Sequence, residues 1–178
     1  MKETVRDWKD DEANLRRQLA ILAAGVQIED YGNEFYTRMS ERIRDKEGKI
    51  ILQSLAQDEK QHRAWLERQI DRIFPGCQAE NIEPDPAYSI DPSRLFALPQ
   101  GSLSPQDEIS GVEMAIEVEK RSARLYDDVA GMTKDPELRA VMQRLARWER
   151  GHQKILENNL HYLKRGGSWY GYTPILDG

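Results

Sequence analysis

Cysteine is almost missing from this chain: Cys77 is the only one in 178 residues. One thiol cannot form a disulfide within the chain or build a four-cysteine metal site. It lies beside Gly76 in a loop and reads as incidental. This cysteine usage suits a reducing compartment, so a cytoplasmic location is expected. Long apolar runs are missing too. No window approaches the roughly 18 uncharged apolar residues of a spanning helix. The first residues, MKETVRDWKDDEANLRRQL, hold no signal-peptide core. No membrane partner is expected. Positive charge is not in excess either. Lys and Arg number 26 against 31 Asp and Glu, for a net charge of −5 and a pI of about 5.3. Binding phosphates needs clustered cations in excess, so nucleic acid is not expected as a partner.

Glycine and proline are scarce, at 12 and 8, and they cluster. They are sparse up to residue 74, dense from 75 to 105, and sparse again to about 165. Apolar residues at 39% and charged ones at 32% suit a helical protein. Four long helices are predicted, over about 15–44, 46–73, 105–131 and 135–166. Asp45 and Ser104 are suited to cap two of them, Ser104 in a capping box with Asp107. Asp135-Pro136 opens the fourth. Residues 2–14 carry a weak signal for a short extra helix. The expectation is an all-α four-helix bundle in one domain over 1–178. Two helical hairpins, 15–74 and 105–165, are joined by a crossover, 75–104, and followed by a tail, 166–178. A loop as long as 75–104 is unusual inside a compact domain unless it runs the length of a bundle.

The two halves align at an offset of ninety without a gap. Glu29 falls on Glu119, Tyr36 on Tyr126, Asp45 on Asp135, Glu59 on Glu149 and His62 on His152. Two similar hairpins about a pseudo-two-fold axis are implied.

Each helix interrupts its apolar stripe with a carboxylate. Positions 52, 55, 59, 62 and 66 read Leu, Leu, Glu, His, Leu; positions 142, 145, 149, 152 and 156 read Met, Leu, Glu, His, Leu. Glu29 and Glu119 stand on the stripes of the first and third helices. Residues at i and i+3 share a helix face, so His62 joins Glu59 and His152 joins Glu149. Burying unpaired carboxylates costs on the order of several kcal/mol each, and no Lys or Arg stands on these stripes to offset that. Two divalent cations would offset it, since four carboxylates carry −4. One Glu from each of two helices and Glu-x-x-His from each of two others is the constellation of ferritin-like di-iron and di-manganese bundles. A single Glu-x-x-His is ordinarily a solvated face. Two at one offset, each with a stripe Glu thirty residues earlier, are not.

The segments VQIEDYGNEFY with LAQDEKQH, and AIEVEKRSARLY with LARWERGH, resemble the two halves of a rubrerythrin-type ferritin-like domain over about residues 20–165. The resemblance implies two iron ions, with Mn or Zn as possible substitutes. Glu59 and Glu149 would bridge, Glu29 and Glu119 would be terminal ligands, and His62 and His152 would each bind one ion. Tyr36 and Tyr126, on the same faces as Glu29 and Glu119, are expected to donate hydrogen bonds to the carboxylates. The implied activity is an oxidoreductase of peroxidase or ferroxidase type, protecting against oxidative stress with O2 or H2O2 as oxidant. Iron storage, a di-iron hydroxylase, a di-manganese catalase and a metal-free scaffold are the competing readings.

Two departures from the family stand out. Rubrerythrins usually carry a C-terminal rubredoxin domain. This chain ends at GGSWYGYTPILDG without the cysteines for one, so a separate electron donor such as a rubredoxin is expected. The family also has an extra carboxylate one turn from a terminal Glu, where this chain has Ile116 and Ser122 beside Glu119, and Val26 and Gly32 beside Glu29. Trp65 and Trp148 read as packing residues and His161 as a surface histidine. The tail aromatics Trp169, Tyr170 and Tyr172 are expected to pack on the bundle or a second subunit. A homodimer is expected.

Overall fold

The computed structural model describes residues 5–88 and 101–170, with side chains from residue 12 onward. Four helices carry it: α1 (Val5–Arg42), α2 (Lys46–Ile73), α3 (Pro105–Met132) and α4 (Pro136–Leu163). A 3-10 turn, Ala79–Asn81, lies in the crossover. No strand occurs among the described residues.

The ends of the helices follow local chemistry. Asp45 accepts from Gly48 N at 3.0 Å. Ser104 and Asp107 satisfy one another's backbone N–H groups in a capping box, with Pro105 in the first turn. Asp135 accepts from Glu137 N and Leu138 N. After α4, Gly166 takes φ 74°, a left-handed conformation that glycine adopts without penalty. The first helix differs from expectation. It starts at Val5 rather than near 15, so the short extra helix expected over 2–14 is continuous with α1 from Val5. Residues 5–14 lack Pro and Gly, and nothing local breaks the helix once packing has begun further along. Residues 2–4 lie outside the described part.

Each hairpin turns in three residues, and α1 packs on α3 across the bundle. The crossover begins at one end, where Asp85 N donates to Ala20 O at 3.0 Å and Tyr88 OH donates to Asp128 at 2.7 Å. It ends at the other, where Leu103 N donates to Arg42 O at 3.1 Å. Ala20 and Arg42 are 22 residues apart on α1, about 33 Å of helix. The described ends of the connection therefore lie at opposite ends of the bundle, a span its length allows.

Two apolar clusters fill the interior. One includes Leu22, Leu66, Leu125 and Leu145; the other includes Phe35, Leu52, Val112 and Leu156. Between them sits a polar layer. Part of the tail also packs on the bundle. Trp169 is 5% exposed, and its indole N–H donates to Glu108 at 3.0 Å. A Cβ on Gly48 would come within 2.7 Å of the Trp169 ring, so glycine there makes room for the indole. Tyr170 N donates to Asn159 at 2.7 Å. Tyr172 lies outside the described residues. His161 and Cys77 are exposed.

Candidate metal centre

Helix periodicity puts one carboxylate per helix into the polar layer, and packing brings them together. Glu29, Glu59, Glu119 and Glu149 are all at most 3% exposed, and His62 and His152 at most 5%. His62 Nδ1 lies 2.9 Å from Glu149 and 3.4 Å from both Glu29 and Glu59. His152 Nδ1 lies 3.3 Å from Glu59, 3.5 Å from Glu149 and 3.6 Å from Glu119. The two imidazoles stack at 5.5 Å. Two overlapping sets of ligand atoms result, each within 4.8 Å: Glu29, Glu59, His62 and Glu149, and Glu59, Glu119, Glu149 and His152. Glu59 and Glu149 belong to both.

The arrangement is reciprocal. Tyr36 OH donates to Glu119, and Tyr126 OH donates to Glu29. Each tyrosine thus serves the carboxylate of the opposite hairpin, a crossing that one-dimensional spacing cannot reveal. It follows from α1 and α3 running antiparallel about the pseudo-two-fold axis.

Electrostatics in the protein alone show the strain of this packing. Burial, reinforced by Glu149 and Glu59, raises Glu29 well above the usual carboxylate range. Burial, then Glu59 and Glu149, does the same to Glu119. Burial would also raise Glu59, but its close contacts with Glu29 and both histidines hold it well below. Glu149 is lowered because the histidines outweigh burial and the repulsion of Glu59. Burial opposes a charge on the histidines, but Glu149 for His62 and Glu119 for His152 lead the interactions that push both well up. The shifts oppose one another across the cluster: the terminal carboxyls and the imidazoles hold their protons more tightly, and the two shared carboxylates less tightly.

The donor set suits a divalent cation. Five buried ligand atoms find no hydrogen-bond partner: Glu29 Oε2, both oxygens of Glu149, and Nδ1 of His62 and of His152. Buried polar atoms are ordinarily satisfied. These point into one volume and are oxygen and imidazole donors of the kind first-row divalent metals accept. The residues fit.

Three features escaped sequence reasoning. Gly32 lets α1 approach Glu59, since a Cβ there would lie 3.2 Å from Glu59 Cγ. Asp58 lies 3.3 Å from Nε2 of His152. Trp148 stacks on His62 at 5.1 Å and 10°, and Trp65 stacks on Trp148 at 4.3 Å. Trp148 therefore packs directly on a candidate ligand. Asp58 and Trp148 immediately precede the Glu-x-x-His motifs and correspond at the ninety-residue offset, which was the available signal. On the outer side, a polar groove of about 410 Å³ between α1 and α2 reaches Glu29, past Asp30, Asn33, Thr37, Gln57 and Lys60.

Fold and site together define a ferritin-like four-helix bundle with a buried carboxylate–histidine centre. The family model for rubrerythrin matches residues 20–160, and the chain belongs to that family. Among solved structures it is similar to a hypothetical protein from Pyrococcus furiosus, at 25% identity and a TM-score of 0.73, over 85% of this chain and 93% of the other. It is also similar in fold to a dodecameric thioferritin, the bacterioferritin-related protein of Bacteroides fragilis. That likeness has 16% identity and a TM-score of 0.65, over 85% of this chain and 89% of the other. No curated protein matches in sequence. Among the described residues, no helix is long and apolar enough to cross a membrane.

Proposed function

We propose that this chain is a non-haem di-iron oxidoreductase that reduces peroxide or oxidises Fe(II) with O2 or H2O2. The observation that carries the reading is the set of unpartnered carboxylate and imidazole atoms facing one buried volume. Glu29, Glu59 and His62 with Glu149 would hold one ion, and Glu119, Glu149 and His152 with Glu59 the other. When bound, the metals supply one electron each to the oxidant and stabilise developing negative charge. The chain's own residues do the rest. The flanking apolar clusters exclude water, which strengthens every charge interaction inside. Tyr36 and Tyr126 hold the terminal carboxylates in orientation. The α1–α2 groove is the proposed entry for a small polar oxidant or a hydrated ion. Electrons to regenerate the reduced centre come from a separate donor protein.

Storage is the second reading, favoured by the fold shared with a dodecameric thioferritin. On either reading we infer that copies of the chain associate.

An anaerobic titration of metal-free protein with Fe(II) tests the proposal. Retention of about two irons per chain is expected, followed by loss of Fe(II) on adding peroxide or air. Uptake far beyond that number under air supports storage. Absence of retained iron refutes both.

A further inference from the structure

The six candidate ligands obey the pseudo-two-fold axis, but what stands behind the two histidines does not. Each imidazole turns Nδ1 inward to the carboxylates. Behind His152, Asp58 of α2 lies 3.3 Å from Nε2. Behind His62, the equivalent place on α4 is Trp148, whose ring lies flat against the imidazole. Among the described residues, every ion pair of His62 is made through Nδ1.

These two arrangements act differently on a ligand. A carboxylate on the outer nitrogen keeps the proton on Nε2 and leaves the Nδ1 lone pair facing the cluster. It also restrains the ring and makes it a stronger donor. A stacked indole holds the ring plane by packing but accepts no proton from Nε2. Trp65 and the Arg144 guanidinium, 6.0 Å from the Trp65 ring centre, extend that stack.

Resting on the di-metal reading above, we propose that Asp58 is a positioning residue that makes the two metal positions unequal. The position on His152 binds a divalent cation first and more tightly, and the position on His62 fills second and exchanges more readily. Glu59 and Glu149 are common to both positions and cannot create the difference.

The probe is Co(II) alone, added anaerobically to metal-free protein, with visible absorbance following imidazole coordination and a competing chelator setting the affinity scale. Wild type is expected to take up two ions in two resolved steps. Asp58→Asn keeps the shape but cannot act as the anionic acceptor, and should weaken the tighter step by about 10–100-fold, leaving the weaker step in place. Asp58→Glu should restore part of the loss. Trp148→Phe should leave the tighter step unchanged. Asp58 is partly exposed, and melting of metal-free Asp58→Asn checks that it folds; Asp58→Ala gives a second reading of the same step.

Two ions bound in wild type with one affinity overturn the inference but leave the di-metal reading standing. So does an Asp58→Asn variant whose two steps match wild type, or one in which both weaken alike, since that is a general charge effect. Failure of wild type to hold any Co(II) or Fe(II) removes the di-metal reading itself.

Discussion

The first hairpin and the second hold the same chemistry on differently built walls. Glu29, Tyr36, Glu59 and His62 recur as Glu119, Tyr126, Glu149 and His152, and all eight are buried. Around them the halves part. Gly48 in α2 receives the indole of Trp169, where α4 fills the equivalent place with Leu138, itself fully buried. Asn33 Nδ2 donates to Ala56 O at 2.6 Å beside the open groove. In the second hairpin, Arg150 donates to the matching carbonyl, Ala146 O, and also pairs with Asp127. Asp58 backs one histidine and Trp148 the other. The lesson is that the charge balance of the centre constrains the inner residues to symmetry, while access, support and tail packing leave the outer ones free to differ.

The largest effect should come from the residues shared by both ligand sets. Glu59→Ala or Glu149→Ala is expected to abolish retention of both ions, measured as metal per chain after gel filtration. Glu29→Ala or Glu119→Ala should spare one ion. A Glu59→Ala protein that still holds one ion breaks the equivalence of the hairpins.

Next is the tail. Trp169→Ala should cost about 3–5 kcal/mol in chemical denaturation, the range for a buried aromatic. Leu138→Ala, at the place equivalent to Gly48, should cost about 2–5 kcal/mol. A Trp169→Ala protein as stable as the parent would show that the tail does not complete the first hairpin's core.

Protonation sharpens the comparison from another side. In the metal-free protein, His62, His152, Glu29 and Glu119 are all raised. A raised group binds its proton more tightly folded than unfolded. Its contribution is whole below the unfolded value, 6.5 for the histidines and 4.5 for the carboxylates, and is lost as pH rises through the folded one. Glu59 and Glu149 are lowered, so their contribution is present above 4.5 and lost as pH falls through the folded values. Metal-free protein should therefore melt at progressively lower temperature as pH rises above 6.5, and metal-loaded protein should not. Loading should release protons, since the ligating groups must be deprotonated and the fold holds protons on these four more tightly, read with an indicator dye in weak buffer. Loading without proton release would contradict this account.

The smallest effects belong to the tyrosines. Tyr36→Phe and Tyr126→Phe each remove one hydrogen bond to a buried carboxyl group and should each cost about 1–2 kcal/mol. The two losses should be nearly equal, since the crossed pairs are equivalent. A large difference would place the asymmetry within the inner residues after all.

Much of this was legible in one dimension. Helical period, the caps at Asp45, Ser104 and Asp135, and the ninety-residue repeat depend on neighbours three or four residues away or on internal likeness, and the folded chain keeps them. The cost of burying a carboxylate is likewise local, so the six polar interruptions of the stripes stood out without coordinates. The start of α1 at Val5 was less legible, because the apolar period weakens there and only the absence of breakers speaks for helix.

Tertiary structure alone decided which residue of one hairpin meets which of the other. Tyr36 reaches Glu119 rather than Glu29, Asp58 reaches His152 rather than His62, and Trp169 fills the space left by Gly48. These partners are separated by 83, 94 and more than a hundred residues. Their meeting is set by the antiparallel crossing of helices about the bundle axis. Period and composition say which face a residue occupies; only packing says what it faces.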